Sequence, residues 1–150
     1  MVLHAVLIPH PLKDGYFRGV KATLAAIADA ASVGAGDKLN VSGVFDTIFA
    51  RAFPAVHPEM VLVIRLQLEA TDAGKEHRVR VALENEHGKR LFEQTARTKV
   101  YTVPPGEAPS TNVVCRLSNT SFAAPGRYRF SIAVGRTRMR LPLRVVRRES

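Results

Sequence analysis

The residues in this sequence best placed to do chemistry are arginines at alternate positions. Arg127 and Arg129 stand opposite Tyr128 and Phe130, and Arg136, Arg138 and Arg140 stand opposite Met139 and Leu141. If these two stretches pair around Gly135, all five cations share one sheet face, with Arg144 beside them and Arg147 and Arg148 following. A guanidinium presents a planar fork of donors that matches the oxygens of a phosphate, so this face is a candidate anion-binding surface. The plainer reading is a solvated sheet face, which needs charges in any case and uses them to discourage edge-to-edge association.

Other chemistry finds little support. Metal coordination wants His, Asp or Glu clustered at ligand spacing, whereas His4, His10, His57, His77 and His87 are scattered, and no HxH or HExxH pattern joins them. Asp37, Asp46 and Asp72 are single, which argues against a calcium shell of many oxygens. Nucleophilic catalysis by a GxSxG elbow is not encoded, and Ser42-Gly43 falls inside a predicted strand. Glu84 and Glu86 flank a turn beside Arg and Lys and read as solvated charges, while Asp29 and Asp46 read as partners for backbone donors at strand ends. Hence no catalytic residue, metal ligand or cofactor is assigned, and a non-enzyme is expected.

The background to the arginines is a chain of 150 residues with a net charge of +9. That length is enough for one domain with a self-supporting core, since folding hides roughly 68–70% of the unfolded surface at this size. The basic balance favours an anionic partner, but sixteen Arg against six Lys, with abundant Ala and Val, is also what GC-rich coding produces. The single Cys115 cannot close an intrachain disulfide, so a reducing cytoplasm is the expected compartment. No apolar run approaches the roughly 20 residues of a spanning helix. The start, Met1 to Ile8, lacks the basic flank of a secretory signal and runs into His10-Pro11.

The elements that must position the arginines follow from periodicity. Pro9, Pro11, Gly15 and Gly19 break any pattern in residues 1–20, which are expected to form an N-terminal extension to a domain of residues 21–150. From there, apolar stretches recur every eight to twelve residues, the spacing of strands in a sandwich or barrel. About eight are predicted. The first is Ala22–Ala31; the second runs from Leu39 to about Ala50 with Gly43 as a candidate bulge, and Pro54 and Pro58 close it. Val61 to Leu68 is the third, with Ile64, Leu66 and Leu68 alternating against Arg65 and Gln67.

The fourth and fifth form a hairpin, with Val79, Val81 and Leu83 on one side, the turn Asn85 to Gly88, and a return from Leu91 to Val100. Tyr101 to Asn112, with Pro104, Pro105 and Pro109, is long enough to cross between sheets, which favours Greek-key topology. The sixth places Val113, Cys115 and Leu117 together, making Cys115 a small buried hydrophobe. The seventh, Pro125 to Val134, turns its aromatics to the core, which counts against the stacking platforms of single-strand nucleic-acid readers. The eighth, Thr137 to Val146, carries Pro142, which implies a sheet edge or bulge.

The fold class expected is therefore all-β, an antiparallel two-sheet sandwich of immunoglobulin-like or Greek-key type. The Pro125-Gly126-Arg127-Tyr128-Arg129-Phe130 run is similar to immunoglobulin-like sandwiches, and that resemblance implies that Tyr128 hydrogen-bonds back to the chain at a sheet corner. The pieces IADAAS around Asp29, GDKLNVSGVFDTI at 36–48, FPAVHPEM at 53–60 and PGRYRF at 125–130 together resemble a bacterial family known only as a domain of unknown function, number 6941. The resemblance spans about residues 21 to 147. It implies a compact β-sandwich and brings no activity and no site residues. The leading expectation is an interaction module that presents loops or a sheet edge to an unidentified protein partner. The alternative is a binder of nucleic acid or acidic lipid through the arginine face; pairing of two copies through an open edge strand is a further option.

Overall fold

The computed structural model describes residues 20–100 and 103–149, and most of the expected extension, residues 1–19, lies outside them. Among the described residues the chain forms nine strands. They are β1 (Lys21–Val33), β2 (Leu39–Phe45), β3 (Thr47–Ala50), β4 (Ala55–Gln67), β5 (Glu76–Asn85), β6 (Arg90–Lys99), β7 (Ser110–Phe122), β8 (Gly126–Val134) and β9 (Thr137–Arg147). They make a β-sandwich of a four-stranded sheet ordered β2-β1-β4-β7 and a five-stranded sheet ordered β3-β9-β8-β5-β6. The chain crosses between the sheets at β2–β3, β3–β4, β4–β5, β6–β7 and β7–β8, the fourth of these through the Pro-rich connection.

Period-two alternation places the core. Ile64 and Leu66 of β4, Val79, Val81 and Leu83 of β5, Val113, Cys115 and Leu117 of β7, Phe130 and Ile132 of β8 and Leu141 and Leu143 of β9 all meet between the sheets. Leu62, Phe130 and Leu143 have no solvent exposure at all. The Tyr128 hydroxyl donates to the Ala124 carbonyl at 2.6 Å, and its ring meets Phe122 edge-on at 4.9 Å, which pins the corner where β7 passes to β8. Val20 is already part of this core.

Three local readings need correction. Residues 39–50 are two strands rather than one: the chain changes sheet at Asp46, whose carbonyl accepts the Arg144 amide at 2.8 Å, and β3 then pairs with β9 in parallel. Thus the five-stranded sheet is mixed. Periodicity missed this because Val44, Phe45 and Ile48 stay apolar through the switch. Pro58 lies within β4 instead of closing a strand, opposite Asn119 in a ladder that passes from His57↔Thr120 to Glu59↔Ser118.

Gly43 is not a bulge either. The β1–β2 register runs through it unbroken, from Ala30↔Ser42 to Ala28↔Val44, and Asp29 lies against its Cα where any Cβ would collide. Its φ of +73° is a conformation that only glycine holds without strain. Pro142, by contrast, sits as expected at an edge: β3 covers β9 only from Arg144 onward, so the missing donor faces an open side.

Candidate functional site

The two outer faces of the sandwich differ in what covers them. Leu24 and Arg65 are ladder partners, and so are Arg65 and Asn112. An extended chain running on from Leu24 to Asp37 at about 3.3 Å per residue would end roughly 40 Å away. Instead Asp37 returns: its carbonyl accepts from Asn112 Nδ2 at 3.0 Å and from Arg65 Nη1 at 3.4 Å. The β1–β2 hairpin therefore doubles back at Asp29 and Gly43 and lies on the outer face of the four-stranded sheet. Ala31, Leu39 and Val41 from its far half pack with Ala28, Val61, Val63 and Val114 in a second small core. Arg116 Nη2 ties it down by donating to the Ala31 carbonyl at 3.2 Å.

The outer face of the five-stranded sheet carries the arginines. β8 and β9 do pair around Gly135, with Arg127↔Arg144, Arg129↔Pro142, Ser131↔Arg140 and Ala133↔Arg138. Directly opposed residues share a face, so Arg127, Arg129, Arg138 and Arg140 point the same way; Arg136 sits in the turn after Gly135. The next strand adds residues that the β8–β9 pattern alone could not bring in. Arg80 lies opposite Ala133, Ala82 opposite Ser131 and Glu84 opposite Arg129. β6 adds Arg90, opposite Glu84, and Glu93, opposite Ala82.

The face is not flat. Ala82, Ser131 and Ala133 are short, and Arg80, Arg90, Arg138 and Arg140 rise around them to leave an open basin of about 210 Å³ with Glu84 at one end. Arg80 and Arg90 share Glu93, at 3.8 Å and 2.8 Å. Arg138 and Arg140 have no ion pair among the described residues, so the rim keeps a positive excess. Of the five arginines that the sequence pattern flags, Arg138 and Arg140 line the basin, whereas Arg127, Arg129 and Arg136 do not. Arg80 and Arg90 were missed because only the β5–β8 register, and for Arg90 the β5–β6 register as well, brings them towards β9.

A model of the family described as being of unknown function (DUF6941) matches residues 23–146. The chain belongs to DUF6941. No curated protein matches it. Among solved structures it is similar to the crystal structure of the C-terminal domain of wzt, at a TM-score of 0.48 and 11% identity, over 89% of this chain and 77% of that one.

In this DUF6941 domain Glu84 departs from its sequence reading as a solvated charge. Its side chain is only 13% exposed, and Arg129 Nη2 donates to it at 3.5 Å. The Ser131 hydroxyl bond outweighs the upward push of burial, and Arg129 and Arg90 add to it, so that the carboxyl is held below the ordinary value of 4.5. Arg129 Nε is buried with no hydrogen-bond partner among the described residues. Cys115 is buried as expected, and desolvation raises its thiol above 9.0, which disfavours the reactive thiolate. Among the described residues no His, Cys, Asp or Glu cluster could hold a metal ion, and no helix is long and apolar enough to cross a membrane.

Proposed function

We propose that this chain is a non-enzymatic binding module of the cytoplasm that docks an acidic segment of a protein partner on the outer face of its five-stranded sheet. The observation that carries this reading is the contrast in cover. One outer face is closed by the chain's own hairpin, while the other is open and rimmed by Arg80, Arg90, Arg138 and Arg140. Guanidiniums stay protonated at any accessible pH, so this face offers fixed charge and forked donors instead of proton transfer. That favours binding over catalysis.

An acidic protein segment fits better than single-stranded nucleic acid. Tyr128 and Phe130 are buried, and no aromatic side chain lines the basin for a base to stack on. Charged ladders spaced two residues apart, Arg138 and Arg140 on β9, also match the repeat of alternate side chains along an extended chain.

The test uses the full chain with poly-L-glutamate and, in parallel, single-stranded and duplex DNA, titrated over a range of salt. Binding of poly-L-glutamate that weakens with salt and is lost in the Arg138→Glu/Arg140→Glu variant supports the reading. Retention by that variant overturns it. So does tighter binding of DNA than of poly-L-glutamate, with a slope of about 0.7–0.9 log units per phosphate contacted.

A further inference from the structure

The basin has a shape that a generic cationic face does not need. Arg138 of β9 and Arg80 of β5 flank Ala133 of β8 in one row across the sheet. Their backbones are therefore two strand spacings apart, about 9.5 Å, with only a methyl group between them. Two guanidiniums held that far apart over a small residue can close on one tetrahedral oxyanion from opposite sides. Long residues at position 133 would fill the gap; alanine leaves it open.

The neighbouring row keeps short residues but a single arginine, with Arg140 beside Ser131 and Ala82 and with Glu93 beyond them on β6. Arg90 faces this gap from the far strand, and Glu84 bounds it at the end. The charges are also available. Arg138 and Arg140 have no ion pair among the described residues, and Arg80 touches Glu93 only at 3.8 Å with its side chain 60% exposed. Release of Arg80 costs little, because exposed pairs at such distances hold weakly.

Several guanidiniums around one small pit suit a dianion better than a carboxylate. A phosphate monoester carries about −1.5 to −2 charges at pH 7 and three acceptor oxygens. Each oxygen can meet a different arginine, whereas a carboxylate satisfies one fork. We infer that the basin between Arg80 and Arg138 seats a phosphate monoester group borne on the docking segment. This assignment rests on the docking face proposed above and names the chemistry of what that face holds.

Calorimetry on the full chain compares a short peptide carrying one phosphoserine with a counterpart of equal net charge in which glutamates replace it. Inorganic phosphate is the third ligand. The expected result is that the phosphopeptide binds roughly tenfold tighter than the glutamate peptide. Ala133→Leu, which fills the pit without changing charge, should erase that preference, and Arg138→Gln should weaken the phosphopeptide by a similar factor. A thermal melt of each variant shows that it folds.

If both peptides bind equally and Ala133→Leu behaves like the native chain, the oxyanion seat is overturned while the docking face stands. If neither peptide binds, both are overturned. Inorganic phosphate that binds as tightly as the phosphopeptide overturns the protein-borne form of the ligand.

Discussion

The outer faces of the two sheets present the same backbone geometry to solvent, yet one is roofed and the other bare. On the four-stranded sheet, Ala28, Val61 and Val63 face outward and are buried, because the far half of the β1–β2 hairpin supplies Ala31, Leu39 and Val41 as a third layer. On the five-stranded sheet, Arg80, Arg138 and Arg140 face outward and stay exposed around Ala133. A two-sheet domain can leave an outward face apolar only if something covers it. The chain spends its β1–β2 hairpin on that task at one face. The other is left charged, and so free to meet a partner.

The largest expected effect separates the faces directly. Val63→Asp places a carboxylate under the hairpin with no partner and should cost more than about 3 kcal/mol in urea unfolding, or lift the hairpin away. Ala133→Asp, at a matching outward position on the open sheet, should cost under about 1 kcal/mol. Equal costs would mean that the hairpin does not seal its face in solution.

Next in size is the hinge of the roof. Gly43→Val imposes a branched side chain at a φ of +73° and drives a Cβ into Asp29. The strain should cost about 1–3 kcal/mol. Faster amide exchange in Leu39 and Val41 than in β8 would show that the loss falls on the hairpin. Uniform loosening of both sheets would break the distinction between them.

How much of this was legible in the sequence follows from the range of the forces involved. Strands with strict alternation, such as β8 with Tyr128, Phe130 and Ile132 inward, announce themselves because one face is wet and the other dry. The sharing of one face by Arg127 and Arg129 with Arg138 and Arg140 was legible too, since Gly135 closes a short turn between adjacent strands. Doubling back of β1–β2 was not. Ala26, Ala28, Val61 and Val63 are apolar on the outward parity, so β1 and β4 lose their alternation, and a roof and a buried strand leave the same pattern. Arg80 and Arg90 escaped notice for another reason: their distance in sequence from β9 is bridged only by the β5–β8 ladder and, for Arg90, by the β5–β6 ladder too.

The smallest effect concerns the one carboxylate that bounds the open basin. Glu84 ionises more readily in the folded chain than its ordinary value of 4.5, first because Ser131 donates to it and then because Arg129 and Arg90 lie near. Above 4.5 both folded and unfolded chains carry the charge, and its contribution to stability is fully present. As pH falls below 4.5 the unfolded chain takes up its proton first, so stability declines until pH passes the lowered folded value. Acid thus erodes the open face through Glu84, while the roof over Val61 and Val63 lies on the other sheet and is untouched by this group. Ser131→Ala removes the largest cause of the shift. A side-chain carboxyl titration by NMR should then show Glu84 moving up toward 4.5, with a smaller loss of stability across the same acid window. An unchanged Glu84 titration in that variant would mean that Arg129 and Arg90 set the charge at this end of the basin without Ser131.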